Sequence, residues 1–169
     1  MKKETELYSI VTAEAKKVFY DKIKEYGFSF TLLSEKAFID ILLAKAYKLK
    51  NAEYADVEDL YSIINYACMA LFDCERLPIG LGNEQDQNEA LSMYDVMITS
   101  CYNMYTNRNE GYGYIYEYFF EETYYDMILM KVLRAKNILS GDSDSIDTYD
   151  CLVDLVNYAI MALMKKPRL

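Results

Sequence analysis

The chain reads as all-α, a bundle of about six helices made from two pseudo-symmetric three-helix repeats. Three observations predict this. Only two prolines, Pro78 and Pro167, and few glycines occur in 169 residues, so long helices meet few breakers. Apolar residues recur three and four apart through most of the chain, the period of one helix face. The same order of residue types also appears once in 26–71 and again in 112–163.

The expected helices cover 3–25, 33–51 and 57–73, then 84–107, 116–139 and 147–166. Between the two sets, Arg76-Leu-Pro-Ile-Gly-Leu-Gly82 carries the densest run of breakers. Tyr26-Gly27 and Tyr112-Gly113 fall between the first and second helices of each set, where Gly ends a helix in the left-handed conformation. Their neighbours Phe28, Phe30, Tyr114 and Tyr116 are candidate walls of a base pocket. Ser140-Gly-Asp-Ser-Asp-Ser145 reads as a polar loop, with Asp144 or Ser145 able to cap the last helix.

The repeat is specific. An offset of 86 carries Gly27 to Gly113, Glu35 to Glu121, Asp40 to Asp126, Lys45 to Lys131, Lys48 to Arg134 and Lys50 to Lys136. Tyr8 and Tyr94 extend it toward the N-terminus. The second copy then gains six residues in its polar loop, and an offset of 92 relates Asn65-Tyr-Ala-Cys-Met-Ala-Leu71 to Asn157-Tyr-Ala-Ile-Met-Ala-Leu163. One three-helix unit of this size buries little surface, so the units 4–75 and 84–166 are expected to share one core, giving a single domain over 1–169.

Composition narrows the chemistry. Eighteen Lys and Arg against 27 Asp and Glu leave a formal charge of −9, with no cationic excess to displace counterions from duplex nucleic acid. A small anion held by a few placed cations remains compatible with that balance. The chain has no His, which removes Ser-His-Asp and Cys-His catalysis and His-ligated metals. Cys68, Cys74, Cys101 and Cys151 form no CxxC pair and read as reduced thiols. No apolar signal core and no membrane-length run is found, so a cytoplasmic protein without a membrane partner is expected.

The helix faces nominate site residues. Lys45 shares a face with Phe38, Ile41, Leu42 and Leu49, and Glu35 lies there too; Glu121 and Lys131 repeat the arrangement. A charge on such a face is paired or faces a polar cavity. An internal Glu–Lys bridge and a cleft holding an anion are both open readings. Lys45 with Lys48, and Lys131 with Arg134, place two cations one turn apart, a pair able to grip phosphate or simply to form a solvated basic face. Asp150, Asp154 and Asn157 stand at i, i+4 and i+7, matched by Glu58, Ser62 and Asn65 in the first copy. Carboxylates one turn apart suit Mg²⁺ bound together with substrate phosphates. Glu121, Asp126, Asp150 and Asp154 are the candidate metal ligands, and Ser62 in place of Asp154 assigns any metal to the second copy.

Taken together, the Tyr-Gly turn, the Asp-x-(Ile/Leu/Met)-Leu-x-Lys-x-x-(Lys/Arg)-x-Lys helix and the helix carrying Asn-Tyr-Ala resemble the nucleotide modification associated domain 1 family of phages and bacteria. That family is similar in pattern to MazG-like nucleotide pyrophosphohydrolases. The resemblance implies a phage-type protein of nucleotide metabolism or modification, with Mg²⁺ as expected cofactor and hydrolysis as an expected activity. It implies a nucleotide or nucleotide-derived ligand, with Lys45, Lys48, Lys131, Arg134, Asn65, Asn157, Tyr26 and Tyr112 as binding residues. It also implies a homodimer, unless the tandem repeat supplies that symmetry within one chain. The alternative is a non-enzymatic counter-defence protein that sequesters a nucleotide signal or inhibits a host protein.

Overall fold

A computed structural model describes residues 2–112, 114–141 and 147–166. Six α-helices carry the described chain: α1 Lys2–Tyr26, α2 Glu35–Asn51, α3 Val57–Met69, α4 Glu84–Tyr112, α5 Glu121–Leu139 and α6 Tyr149–Lys165. Short 3-10 turns at Ser29–Leu32, Cys74–Arg76 and Ile115–Tyr118 join them. The all-α expectation holds. No helix among the described residues is long and apolar enough to cross a membrane.

Helix starts follow local capping chemistry. The Ser34 hydroxyl accepts from the Ala37 N–H at 3.2 Å and opens α2, and Asp56 accepts from the Glu58 N–H at 3.0 Å and opens α3. Asn83 and Asp86 exchange reciprocal bonds of 2.8 and 3.0 Å at the head of α4. Asp147 accepts from the Tyr149 N–H at 2.8 Å ahead of α6, while the expected caps Asp144 and Ser145 lie outside the described residues. Gly27 ends α1 as expected, at φ 69°, with its N–H on the Ile23 carbonyl. Gly113 lies outside the described residues, and the left-handed residue next to it is Tyr114, at φ 59°.

Three boundaries differ from expectation by more than two residues. The third helix stops at Met69 instead of residue 73, because the chain turns tightly through Leu71 and Phe72. The fourth continues to Tyr112. The fifth starts at Glu121, since Phe119 and Phe120 are extended and break it from the 3-10 turn, which the Tyr124 hydroxyl pins by donating to the Tyr116 carbonyl.

The most apolar helix lies at the centre. Every residue of α6 from Cys151 to Leu163 is buried, as a helix walled in by neighbours must be, and α6 packs on α1, α3, α4 and α5. Around it α1 packs on α4, α2 on α5 and α3 on α6. Polar ties cross between these halves in reciprocal fashion. Tyr8 donates to Asn157 Oδ1 at 2.8 Å, and Tyr94 donates to Asn65 Oδ1 at 2.7 Å. At the surface, Lys136 bonds Asp40 at 2.5 Å and Lys50 bonds Asp126. The linker 72–83 folds back over the end of α1: Gly80 accepts from the Phe28 N–H at 3.0 Å, and a Cβ on Gly27 would stand 2.6 Å from the Gly80 oxygen.

Candidate functional site

The sequence places Lys45 on the apolar face of α2, and the fold gives that cation a cavity. A cleft of about 630 Å³ opens between α1, α2 and α3. Its apolar wall includes Phe19, Ile23, Phe30 and Met69, and its polar edge carries Lys22, Lys45, Glu58, Ser62 and Asn65. Such a volume, with an apolar wall and a polar, charged edge, falls within the range of small-molecule sites in general. Both cations rest on tyrosines of the cleft: Lys45 Nζ lies 5.2 Å from the Tyr66 ring centre and Lys22 Nζ 5.3 Å from that of Tyr26. Partial burial lowers the Lys45 pKa from its ordinary value; the Asp59 carboxylate opposes that shift, and the Lys48 charge adds to it.

The corresponding region of the second half is closed. Asp154 of α6, with 4% of its side chain exposed, binds Lys131 Nζ at 2.7 Å and also binds Arg108 of α4. Burial opposes the Arg108 charge, but the Asp154 carboxylate outweighs it and holds the guanidinium pKa above its ordinary value. The cavity left beside this cluster, between Tyr105, Arg108, Tyr116, Asn157, Tyr158 and Met161, measures only about 10 Å³. Asn109 is buried in the same wall, and its Nδ2 meets no acceptor among the described residues.

The sequence offsets relate residues of the two regions. The offset of 86 carries Lys22 to Arg108 and Lys45 to Lys131, and the offset of 92 carries Tyr66 to Tyr158 and Ser62 to Asp154. Both cations are kept, and the carboxylate between them is present in one region alone. Lys22, Tyr66 and Arg108 were missed as site residues, although the 86-residue offset relates Lys22 to Arg108 in the sequence itself.

The other expected binding residues scatter. Tyr26 and Asn65 line the open cleft, where Asn65 is partly engaged by Tyr94. Asn157 is buried, accepting from Tyr8 and donating to the Cys101 carbonyl at 2.9 Å. Lys48 does not line the cleft and is tied at 2.8 Å to Asp59, which does. Arg134 is exposed, and Tyr112 is exposed in an edge contact with Tyr116. Neither expected Glu–Lys bridge forms as drawn: Glu35 accepts from Thr148 at 2.6 Å, and Lys131 pairs with Asp154.

The four candidate metal ligands do not converge in the described structure. Glu121 binds Lys166 at 2.6 Å and accepts from Tyr125; burial pushes its pKa up, but these two partners more than offset that and leave it below the usual carboxylate value. Asp126 pairs with Lys50, Asp150 is exposed, and Asp154 is held by Arg108 and Lys131. Among the described residues no group of three or more carboxylates or thiols is placed to hold a metal ion. For Glu121, Asp126 and Asp154 the physical reason is neutralisation by side chains: lysines and an arginine supply the positive charge that a cation was expected to bring. Thiol chemistry is also disfavoured here, since burial and the Asp154 charge push the Cys101 pKa up to about 12.

The family model for nucleotide modification associated domain 1 matches residues 108–165. The matched stretch starts at Arg108 and runs through α6, so it contains the whole Arg108–Lys131–Asp154 cluster. The similarity to nucleotide modification associated domain 1 thus falls on the closed region, and the open cleft lies outside it. No curated protein and no solved structure matches the chain.

Proposed function

We propose that the protein binds a nucleotide or nucleotide-derived molecule in the cleft between α1, α2 and α3, and serves phage-type nucleotide metabolism or modification. One observation carries the reading: the cleft is nucleotide-sized and keeps Lys22 and Lys45 on an aromatic wall, with Ser62 where the second half has a neutralising carboxylate. The similarity to nucleotide modification associated domain 1 supports the ligand class. Phe30 and Tyr66 offer faces for a base, while the lysines meet phosphate. The enzymatic form of this reading is Mg²⁺-dependent hydrolysis, for which Glu58 and Asp59 are the carboxylates on the cleft wall. The reciprocal Tyr8–Asn157 and Tyr94–Asn65 bonds support two copies of one unit packed as a single domain.

Capture without turnover is the second reading. It is favoured by the engagement of Glu121, Asp126 and Asp154 with the protein's own cations. Mass spectrometry of small molecules released from purified protein, followed by calorimetric titration and a turnover assay with and without Mg²⁺, tests both. A nucleotide bound and returned intact supports capture, and Mg²⁺-dependent product supports hydrolysis. Failure of mono-, di- and triphosphates of every common base to bind would overturn the nucleotide reading.

A further inference from the structure

We infer that the buried carboxylate of Asp154 marks the seat of the ligand's anionic group: in the open cleft, a single phosphate occupies the corresponding place between Lys22 and Lys45. The ligand class that follows is a nucleoside monophosphate. This ligand class rests on the nucleotide reading above, whereas the seat itself does not.

The argument begins with charge. Two cations beside a buried cavity repel and lose hydration unless an anion lies between them. In the second half the chain supplies that anion, and Asp154 draws in Lys131, 14% exposed, and Arg108, 35% exposed. In the first half Ser62 takes its place without a charge, and the nearest carboxylates, Glu58 and Asp59, stand about one turn earlier on α3, Asp59 being tied to Lys48. Lys22 then lies exposed over Tyr26, and Lys45 sits over Tyr66 with a lowered pKa. Exchanging Asp for Ser also leaves space, consistent with about 630 Å³ in one region and about 10 Å³ in the other.

The same geometry limits the ligand's charge. Glu58 lies on the same wall as the two lysines and repels a longer polyphosphate, whereas Asp59 is paired with Lys48. One phosphate is matched by Lys22 and Lys45, and the apolar wall of Phe19, Ile23, Phe30 and Met69 receives an uncharged body. A nucleoside monophosphate has both parts. A free nucleoside lacks the first, and inorganic phosphate lacks the second.

The test places a tethered anion in the first seat and removes it from the second. Calorimetric titration with the common nucleoside monophosphates, their nucleosides and their triphosphates is run on wild type, Ser62→Asp and Ser62→Asn. Monophosphate is expected to bind at least about tenfold more tightly than nucleoside or triphosphate. Ser62→Asp is expected to weaken monophosphate binding about tenfold more than Ser62→Asn, which has the same shape without the charge. Separately, Asp154→Ser is expected to lose thermal stability and to regain part of it in inorganic phosphate, beyond the response in chloride of equal ionic strength. Monophosphate binding that Asp and Asn at 62 weaken equally would overturn the seat while leaving nucleotide binding standing. Triphosphate preferred over monophosphate would overturn the ligand class. If wild type binds no nucleotide but phosphate rescues Asp154→Ser, the nucleotide reading falls and the seat stands. If phosphate does no more than chloride, the seat is overturned in the second half as well.

Discussion

The regions around Lys45 and Lys131 share a pattern of side chains and differ in one carboxylate. Near Lys131, Asp154 joins two cations and the packing closes to about 10 Å³. Near Lys45, Ser62 leaves both cations on aromatic rings at the edge of about 630 Å³. The difference teaches that a charge on an apolar helix face has no fixed meaning. Its partner, one helix away, decides whether it closes a core or furnishes a site.

The largest expected effect breaks the closed region. Asp154→Ala should destabilise the protein by about 3–5 kcal/mol, because it strands two cations beside a buried cavity. Ser62→Ala should change stability by less than about 0.5 kcal/mol. Urea melts of both variants check this, and equal losses would erase the contrast.

The paired lysines sharpen it next. Lys131→Met should cost about 2–3 kcal/mol, since Asp154 keeps one cation in place of two. Lys45→Met should leave stability unchanged or raise it, because the lowered pKa of Lys45 shows that the folded state disfavours its charge. Nucleotide affinity should respond in the opposite order, falling with Lys45→Met and holding with Lys131→Met. Paired melts and titrations decide both.

A third comparison concerns the turn beside the open cleft. Gly27→Ala should destabilise by about 1–3 kcal/mol, as φ is 69° and the new Cβ would meet the Gly80 oxygen at 2.6 Å. Gly111→Ala, within α4 and in open space, should stabilise by about 0.5–1 kcal/mol. Melting temperatures of opposite sign are expected. The Gly27 variant should also weaken the ligand, since Gly27 lines the cleft.

The smallest effect is a pH dependence confined to the open region. The unfolded chain holds the Lys45 proton more tightly than the folded one does. Charged Lys45 therefore costs stability at neutral pH, and that cost fades as pH rises through its lowered pKa toward 10.5. The stability difference between Lys45→Met and wild type should shrink over that window. Phosphate-bearing ligands should be lost over the same window, since they need the charged form.

The sequence showed some of this and concealed the rest for identifiable reasons. The offsets of 86 and 92 pair Lys45 with Lys131 and Ser62 with Asp154 in the sequence itself. The acidic spacing on α6 suits a metal in the second copy, while the cations nominate both copies alike. Nothing within α6 reveals that Arg108 and Lys131, on other helices, neutralise Asp154. Lys22 was overlooked for a similar reason, standing on a solvated stretch of α1 whose side chain meets the cleft only when α2 and α3 pack against it. The break at Phe119 and Phe120 was missed because aromatic residues suit a helix face and an extended turn equally well.

By itself the sequence determined the six helices, through apolar spacing and caps such as Ser34 and Asp56 acting within a few residues. The offsets of 86 and 92 are likewise a property of residue order alone. Only the tertiary structure decided which cations meet an anion. Hydrogen bonds inside a helix are local, whereas the pairing of Lys131 with Asp154 and the gap beside Lys45 depend on where three helices cross.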